Sequence, residues 1–127
     1  MDKKYWGYHV MLDCSECDIA SVTDPEHIKA FSKELVKKID MVAHGEPQVV
    51  HFADHSLDKA GWTLIQLIET SNITAHFIDH NGDAYIDVFS CKDFASHDVV
   101  QVVNKYFKPK NYKTTRWLRD ATPGMVE

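Results

Sequence analysis

Apolar positions from 5 to 14 (YWGYHVMLDC) are rich in aromatic and β-branched residues and set Tyr8, Val10 and Leu12 on one face of an extended strand and His9, Met11 and Asp13 on the other. The period then lengthens. Ile28, Phe31, Leu35, Ile39 and Val42 recur at spacings of 3, 4, 4 and 3, a single apolar stripe on a helix. Asp24 is the expected N-cap, Pro25 the first helical residue, and Gly45 with Pro47 the stop. Lys29, Lys33, Lys37 and Lys38 lie largely off the stripe as a solvated face. Residues 48–52 (QVVHF) read as a second strand, and residues 63–69, 72–79 and 84–90 as three more. The last two of these are joined through Asn81-Gly82, a two-residue hairpin signal. A second helix capped by Ser96 carries Val99, Val100, Val103, Tyr106 and Phe107 and stops at Pro109. Residues 112–119 form a final strand, with a frayed tail after it.

Antiparallel neighbours with two long helices predict an α+β fold. The expected architecture is a two-layer α/β sandwich, with a mainly antiparallel sheet and both long helices on one face. The other sheet face, to which Trp6, Trp62 and Tyr85 are assigned, then needs cover, and a second copy of the chain is the expected partner.

Composition narrows the classes. At 127 residues the chain is one domain, residues 1–127, and its 44% hydrophobic and 26% charged content is that of a globular protein. No apolar run reaches the roughly 18 residues of a membrane span, and the first ten residues contain no signal-peptide core, so a cytoplasmic protein without membrane contact is expected. A net charge of −5 with dispersed basic residues argues against a nucleic-acid surface. The three cysteines, Cys14, Cys17 and Cys91, are an odd number, which predicts thiols and no disulfide framework.

Three arrangements resemble metal sites, and no metal is expected at any of them. Cys14 and Cys17 form a lone C-x-x-C at a strand end, without a second pair of ligands. His51, Asp54 and His55 would share a face only on a helix, which Gly61 and the preceding Val49-Val50 disfavour. His76 and His80, on one strand, would stand about 13 Å apart.

The chemistry concentrates between Gly61 and Cys91. Gly7-Tyr8-His9, Glu16-Cys17-Asp18, Gly61-Trp62-Thr63, the run from Thr70 to His76 (TSNITAH) and the run from Ala84 to Cys91 (AYIDVFSC) together resemble the short prokaryotic S-adenosylmethionine decarboxylases. These are self-cleaving enzymes that carry a pyruvoyl group. Ser71, His76 and Cys91 fall in the family order, with Cys91 twenty positions after Ser71.

The resemblance implies a proenzyme split into residues 1–70 and 71–127. The Ser71 hydroxyl would attack the carbonyl of Thr70, and elimination and hydrolysis would leave a pyruvoyl group on the second fragment. That group forms a Schiff base with the substrate amine and accepts the electrons left by CO2, without pyridoxal phosphate. By analogy Thr63 assists processing, His76 is the base that removes the Ser71 α-proton, and Cys91 returns a proton after decarboxylation. On one strand Ser71 and His76 would lie about 16 Å apart and on opposite faces. A sharp bend near Asn72 would resolve this, or active sites shared across a homodimer, which the family favours.

Three departures bear on maturation and substrate. Thr70 stands where Glu usually precedes the serine, and its branched side chain crowds the carbonyl to be attacked, which predicts slow maturation. Asn72 replaces a histidine. Ile78-Asp79-His80 replaces Trp-Pro-Glu, whose Glu holds the ribose of the substrate; Asp79 or Asp83 is the candidate to replace it, and Asp79 and His80 are expected to bind substrate. Phe52, Tyr5 and Trp6 are aromatic candidates for the adenine ring. The expected substrate is S-adenosylmethionine, decarboxylated for spermidine biosynthesis. The alternatives are ornithine or arginine as substrate, or a non-maturing homologue that regulates an active decarboxylase.

Overall fold

A computed structural model describes residues 5–124. Six strands form one antiparallel sheet in the order β2-β3-β4-β5-β1-β6, with β1 at Gly7–Ser15, β2 at Gln48–Phe52, β3 at Gly61–Ile68, β4 at Ser71–Ile78, β5 at Ala84–Ser90 and β6 at Asn111–Arg119. Helices α1 (Ile19–Val22), α2 (Pro25–Lys38) and α3 (Ser96–Phe107) are the helices among the described residues. The predicted α+β sandwich is the one observed; α1, a single turn, lacked a sequence period by which to find it.

The alternation along the strands decides which side the helices cover. Tyr8, Val10, Leu12, Leu64, Ile73, Ala75, Phe77, Ile86 and Val88 are buried against Ile28, Phe31 and Leu35 of α2 and Val99, Val103 and Phe107 of α3 in one core. Phe107 joins the layers, with its ring 4.8 Å from both Phe31 and Phe77. Gln66 is fully buried in this core and keeps its polar atoms satisfied: its amide donates to the carbonyls of Gly45 and Leu67, and its oxygen accepts from Ser32.

Four local expectations change. Helix α2 ends at Lys38 with Ile39 as its C-cap, and Asp40 turns the chain at φ 57°, so Val42 leaves the stripe and is 63% exposed. The N-cap of α3 is Ala95 without a side-chain cap; Ser96 is its first helical residue. The β4–β5 connection runs from Asp79 to Asp83 and not through a two-residue turn. Asn81 Oδ1 accepts the Asp83 amide, and Gly82 takes φ 79° beside the Cys17 backbone. Trp62 pairs with Phe77 and packs against the core, not on the open face. Of the expected tail, residues 125–127 lie outside the described residues.

The opposite sheet face carries Val50, Phe52, Ile65, Leu67, Tyr85 and Trp117, all substantially exposed. Cross-strand register places them in rows with His9, Thr63, His76 and Asp87. The edge strand β6 is exposed along nearly its whole length.

Candidate active site

Strands β3 and β4 are joined by Glu69 and Thr70 alone, because Ile68 pairs directly with Ser71. So tight a reversal puts Thr70 at φ 55°, a left-handed conformation that costs a β-branched residue about 1–2 kcal/mol. Thr70 Oγ1 donates to the Glu69 carbonyl at 2.6 Å, which leaves the Cys91 thiol as the donor in the 2.6 Å contact between Cys91 Sγ and Thr70 Oγ1. The Cys91 amide also donates to the Thr70 carbonyl oxygen at 3.4 Å. The carbonyl preceding Ser71 thus has a backbone donor already aimed at it, in the position where negative charge would develop during attack.

Ser71 opens β4 opposite Ser90 of β5. Its hydroxyl donates to Ser90 Oγ at 2.7 Å, and the same oxygen accepts the Lys92 amide at 2.9 Å. Ser90 is fully buried, whereas Ser71 is half-buried. The Lys92 ammonium binds the backbone oxygen and carboxylate of Asp40, tying this corner to the end of α2. One end of the sheet therefore gathers Thr70, Ser71, Ser90 and Cys91. Ser90 carried no expectation from sequence. Alternation puts position 90 on the core side of β5, but its neighbour across the sheet follows only from the register.

Thr63 and His76 meet elsewhere. They face each other across β3 and β4, with Thr63 Oγ1 and His76 Nδ1 3.0 Å apart, on the open sheet face. Ser71 is five residues back along the same strand, about 16 Å away, with its side chain on the helix side. The strand from Ser71 to Ile78 is continuous, so the alternative of a bend near Asn72 is not the one taken.

A recess of about 320 Å³ adjoins the Thr63–His76 pair and includes Phe52, Trp62 and Ile78 in its wall. Phe52 thus accompanies the pair. Asp79 does not line the recess: its Oδ2 is 2.6 Å from His51 Nε2, and its buried Oδ1 has no hydrogen-bond partner among the described residues. The Asp79 hydrogen bond raises the His51 pKa above its ordinary value against the opposing effect of desolvation, with Asp54 adding to the rise. His80 is exposed in the β4–β5 connection, apart from the recess. Asp83 accepts from the Glu16 amide and from Asn81, so its carboxylate fastens this connection to the end of β1.

Cys14 and Cys17 flank a turn in which Glu16 takes φ 52°, and both thiols are buried. Hydrogen bonding between them pushes the Cys14 thiol up and the Cys17 thiol down in pKa. This is the expected strand-end turn.

A sequence profile described as S-adenosylmethionine decarboxylase matches residues 8–120. The chain belongs to the S-adenosylmethionine decarboxylase family. An S-adenosylmethionine decarboxylase proenzyme of Clostridium botulinum (strain Langeland) is 29% identical over 113 residues, covering 87% of this chain and 92% of that one. One of the same description from Prochlorococcus marinus is 27% identical over 121 residues, covering 94% and 93%. The crystal structure of the adenosylmethionine decarboxylase from Aquifex aeolicus matches with a TM-score of 0.79 over 96% of this chain and 97% of that one, at 20% identity, which shows a shared fold. The family named from the motifs is thus the one to which the chain belongs. No helix among the described residues is long and apolar enough to cross a membrane.

Proposed function

We propose that this chain is a proenzyme that cleaves itself between Thr70 and Ser71, and that the product decarboxylates S-adenosylmethionine to the aminopropyl donor used for spermidine. The observation that carries the reading is the corner where the Ser71 hydroxyl, the Thr70 carbonyl and the Cys91 amide and thiol converge, in a chain of this family. Ser71 Oγ adds to the Thr70 carbonyl carbon, the peptide C–N bond breaks, and the Ser71 nitrogen takes up a proton, leaving an ester. The Cys91 amide stabilises the oxyanion on the way. Removal of the Ser71 α-proton then expels the Thr70 carboxylate. Water hydrolyses the resulting dehydroalanine, releasing ammonia and leaving a pyruvoyl group at the start of residues 71–127.

The residues present fit that group. Ser71, its precursor, is anchored by Ser90, and the Cys91 thiol sits beside the scissile residue, where it can hold a proton for the decarboxylated carbon. Once formed, the pyruvoyl group supplies a carbonyl that condenses with an amine and accepts the electron pair released with CO2. Left-handed strain at Thr70 also favours the cleaved state, since Thr70 becomes a free chain end on scission.

The α-proton is assigned to His76 and the assisting hydroxyl to Thr63, both of a second copy. The exposed aromatic and aliphatic residues of the open sheet face support this, because an apolar surface of that kind on which His76 also stands is suited to a second sheet. A homodimer with shared sites results. Phe52 then serves the adenine from the recess beside His76, with Asp79 and His80 of the following connection as further substrate contacts. The same reading places the protein in the cytoplasm, where its thiols stay reduced.

Intact-mass analysis tests processing: two fragments divided at Thr70 and Ser71 are expected, the second blocked at its amino end. Release of labelled CO2 from S-adenosylmethionine, measured beside ornithine and arginine, tests the substrate. A chain that stays whole, or background release from S-adenosylmethionine, refutes the corresponding half of the proposal.

A further inference from the structure

We infer that Ser90 is a positioning residue for self-cleavage, holding the Ser71 hydroxyl in the orientation from which it attacks Thr70. The inference rests on the proposed processing reaction and adds a residue to it. A serine hydroxyl has three staggered rotamers, and only an orientation that brings Oγ toward the preceding carbonyl carbon is productive. At this corner the choice is made by a fully buried acceptor: Ser71 Oγ donates to Ser90 Oγ at 2.7 Å.

Ser90 is itself pinned. It sits in the register pair Ser71↔Ser90 on one side and Tyr8↔Ser90 on the other, so two strands fix its backbone. The Lys92 amide donates to its oxygen at 2.9 Å, which fixes the side chain. With one lone pair occupied by that amide, Ser90 offers the other to Ser71. Ser71 then donates its proton away from the carbonyl and keeps its own lone pairs free for attack. A neutral hydroxyl is too weak a base to remove the proton outright, so the contribution of Ser90 is orientation.

Sequence position links this device to the rest of the site. Ser90 immediately precedes Cys91, whose amide donates to the Thr70 carbonyl. One short stretch at the end of β5 therefore holds both reacting partners, the nucleophile through the side chain of residue 90 and the electrophile through the backbone of residue 91.

The test follows cleavage of full-length chain by intact mass for the unaltered protein, Ser90→Ala, Ser90→Thr and Ser71→Ala, with melting temperatures for each. Ser90→Ala should cleave about 10- to 100-fold more slowly, the range expected for a misoriented nucleophile. Ser90→Thr keeps the hydroxyl and should recover most of the rate. Hydroxylamine, which cleaves esters and spares amides, should release no fragments from uncleaved Ser90→Ala, because the delay precedes ester formation. Cleavage of Ser90→Ala at the unaltered rate overturns the inference, as does equal slowing of a natively melting Ser90→Thr, or fragment release by hydroxylamine. If the unaltered chain itself stays whole, the processing reading fails and the role of Ser90 falls with it. That result is distinct from an active protein indifferent to residue 90.

Discussion

Thr63 Oγ1 and His76 Nδ1 lie 3.0 Å apart across β3 and β4, on the sheet face opposite the one that receives Ser71. A strand cannot carry a side chain through itself, so this pair and Ser71 belong to different sites unless two chains meet. Chain mixing follows as a test. His76→Ala alone should stay uncleaved, and Ser71→Ala has no nucleophile to cleave with. When the two are co-expressed with distinguishable tags, the His76→Ala chain should be cut, because its partner supplies His76. Mass analysis of the tagged fragments reads the outcome, and an intact His76→Ala chain in the mixture would show that the residues do not act across copies.

Thiol exposure separates the cysteines. Cys91 is partly exposed at the end of β5, while Cys14 and Cys17 are free thiols buried from solvent. Alkylation of the native protein should therefore modify Cys91 at least about tenfold faster than the other two, with all three reacting after denaturation. Peptide mapping checks the sites. Modification at Cys91 should also abolish CO2 release, since the thiol is the assigned proton donor.

Gly61 opens β3 where no side chain fits. A Cβ built on it would stand 1.6 Å from the Phe77 carbonyl oxygen, so the obstacle is backbone and cannot rotate away. Gly61→Ala should destabilise the protein by roughly 3 kcal/mol, at the upper end of overpacking costs, and should loosen the Thr63–His76 register two residues on. Denaturant unfolding measures the first effect. Loss of processing in chains that still fold would report the second.

The sheet and its helical layer were legible because each strand repeats at two residues and each long helix at three to four, and the core obeys both periods. Single-turn α1 falls below the length at which a period exists. Val42 belonged to the apolar pattern, but the left-handed Asp40 ended the helix first, an effect of backbone conformation that side-chain hydrophobicity does not encode. Motif spacing singled out Ser71 and Cys91, which the fold brings to one corner, and strand parity gave the opposition of Ser71 and His76. Ser90 was not legible, since its role depends on which residue the register sets opposite it. Asp79 is an acid within the stretch that replaces Trp-Pro-Glu, and its engagement with His51 of an edge strand could not be inferred from a separation of 28 residues.

That engagement makes stability depend on pH. The Asp79 hydrogen bond, with Asp54 on the other ring nitrogen, raises the folded-state pKa of His51 above 6.5. A group whose folded pKa is raised binds its proton more tightly when folded. Its stabilisation is fully present below about pH 6.5 and fades as pH rises through the raised value. His51→Gln removes the titrating group. The difference in melting temperature between the unaltered protein and His51→Gln should therefore be largest in the acid part of a series from about pH 5.5 to 8.5 and shrink toward its alkaline end. A difference that stays constant, or grows with pH, would mean that His51 is held by Trp62 packing and not by the Asp79 carboxylate. Asp79→Asn distinguishes these directly. It should flatten the pH dependence while leaving the His51–Trp62 edge contact in place, and any accompanying rise in KM for S-adenosylmethionine without a fall in kcat would assign Asp79 to substrate binding as well.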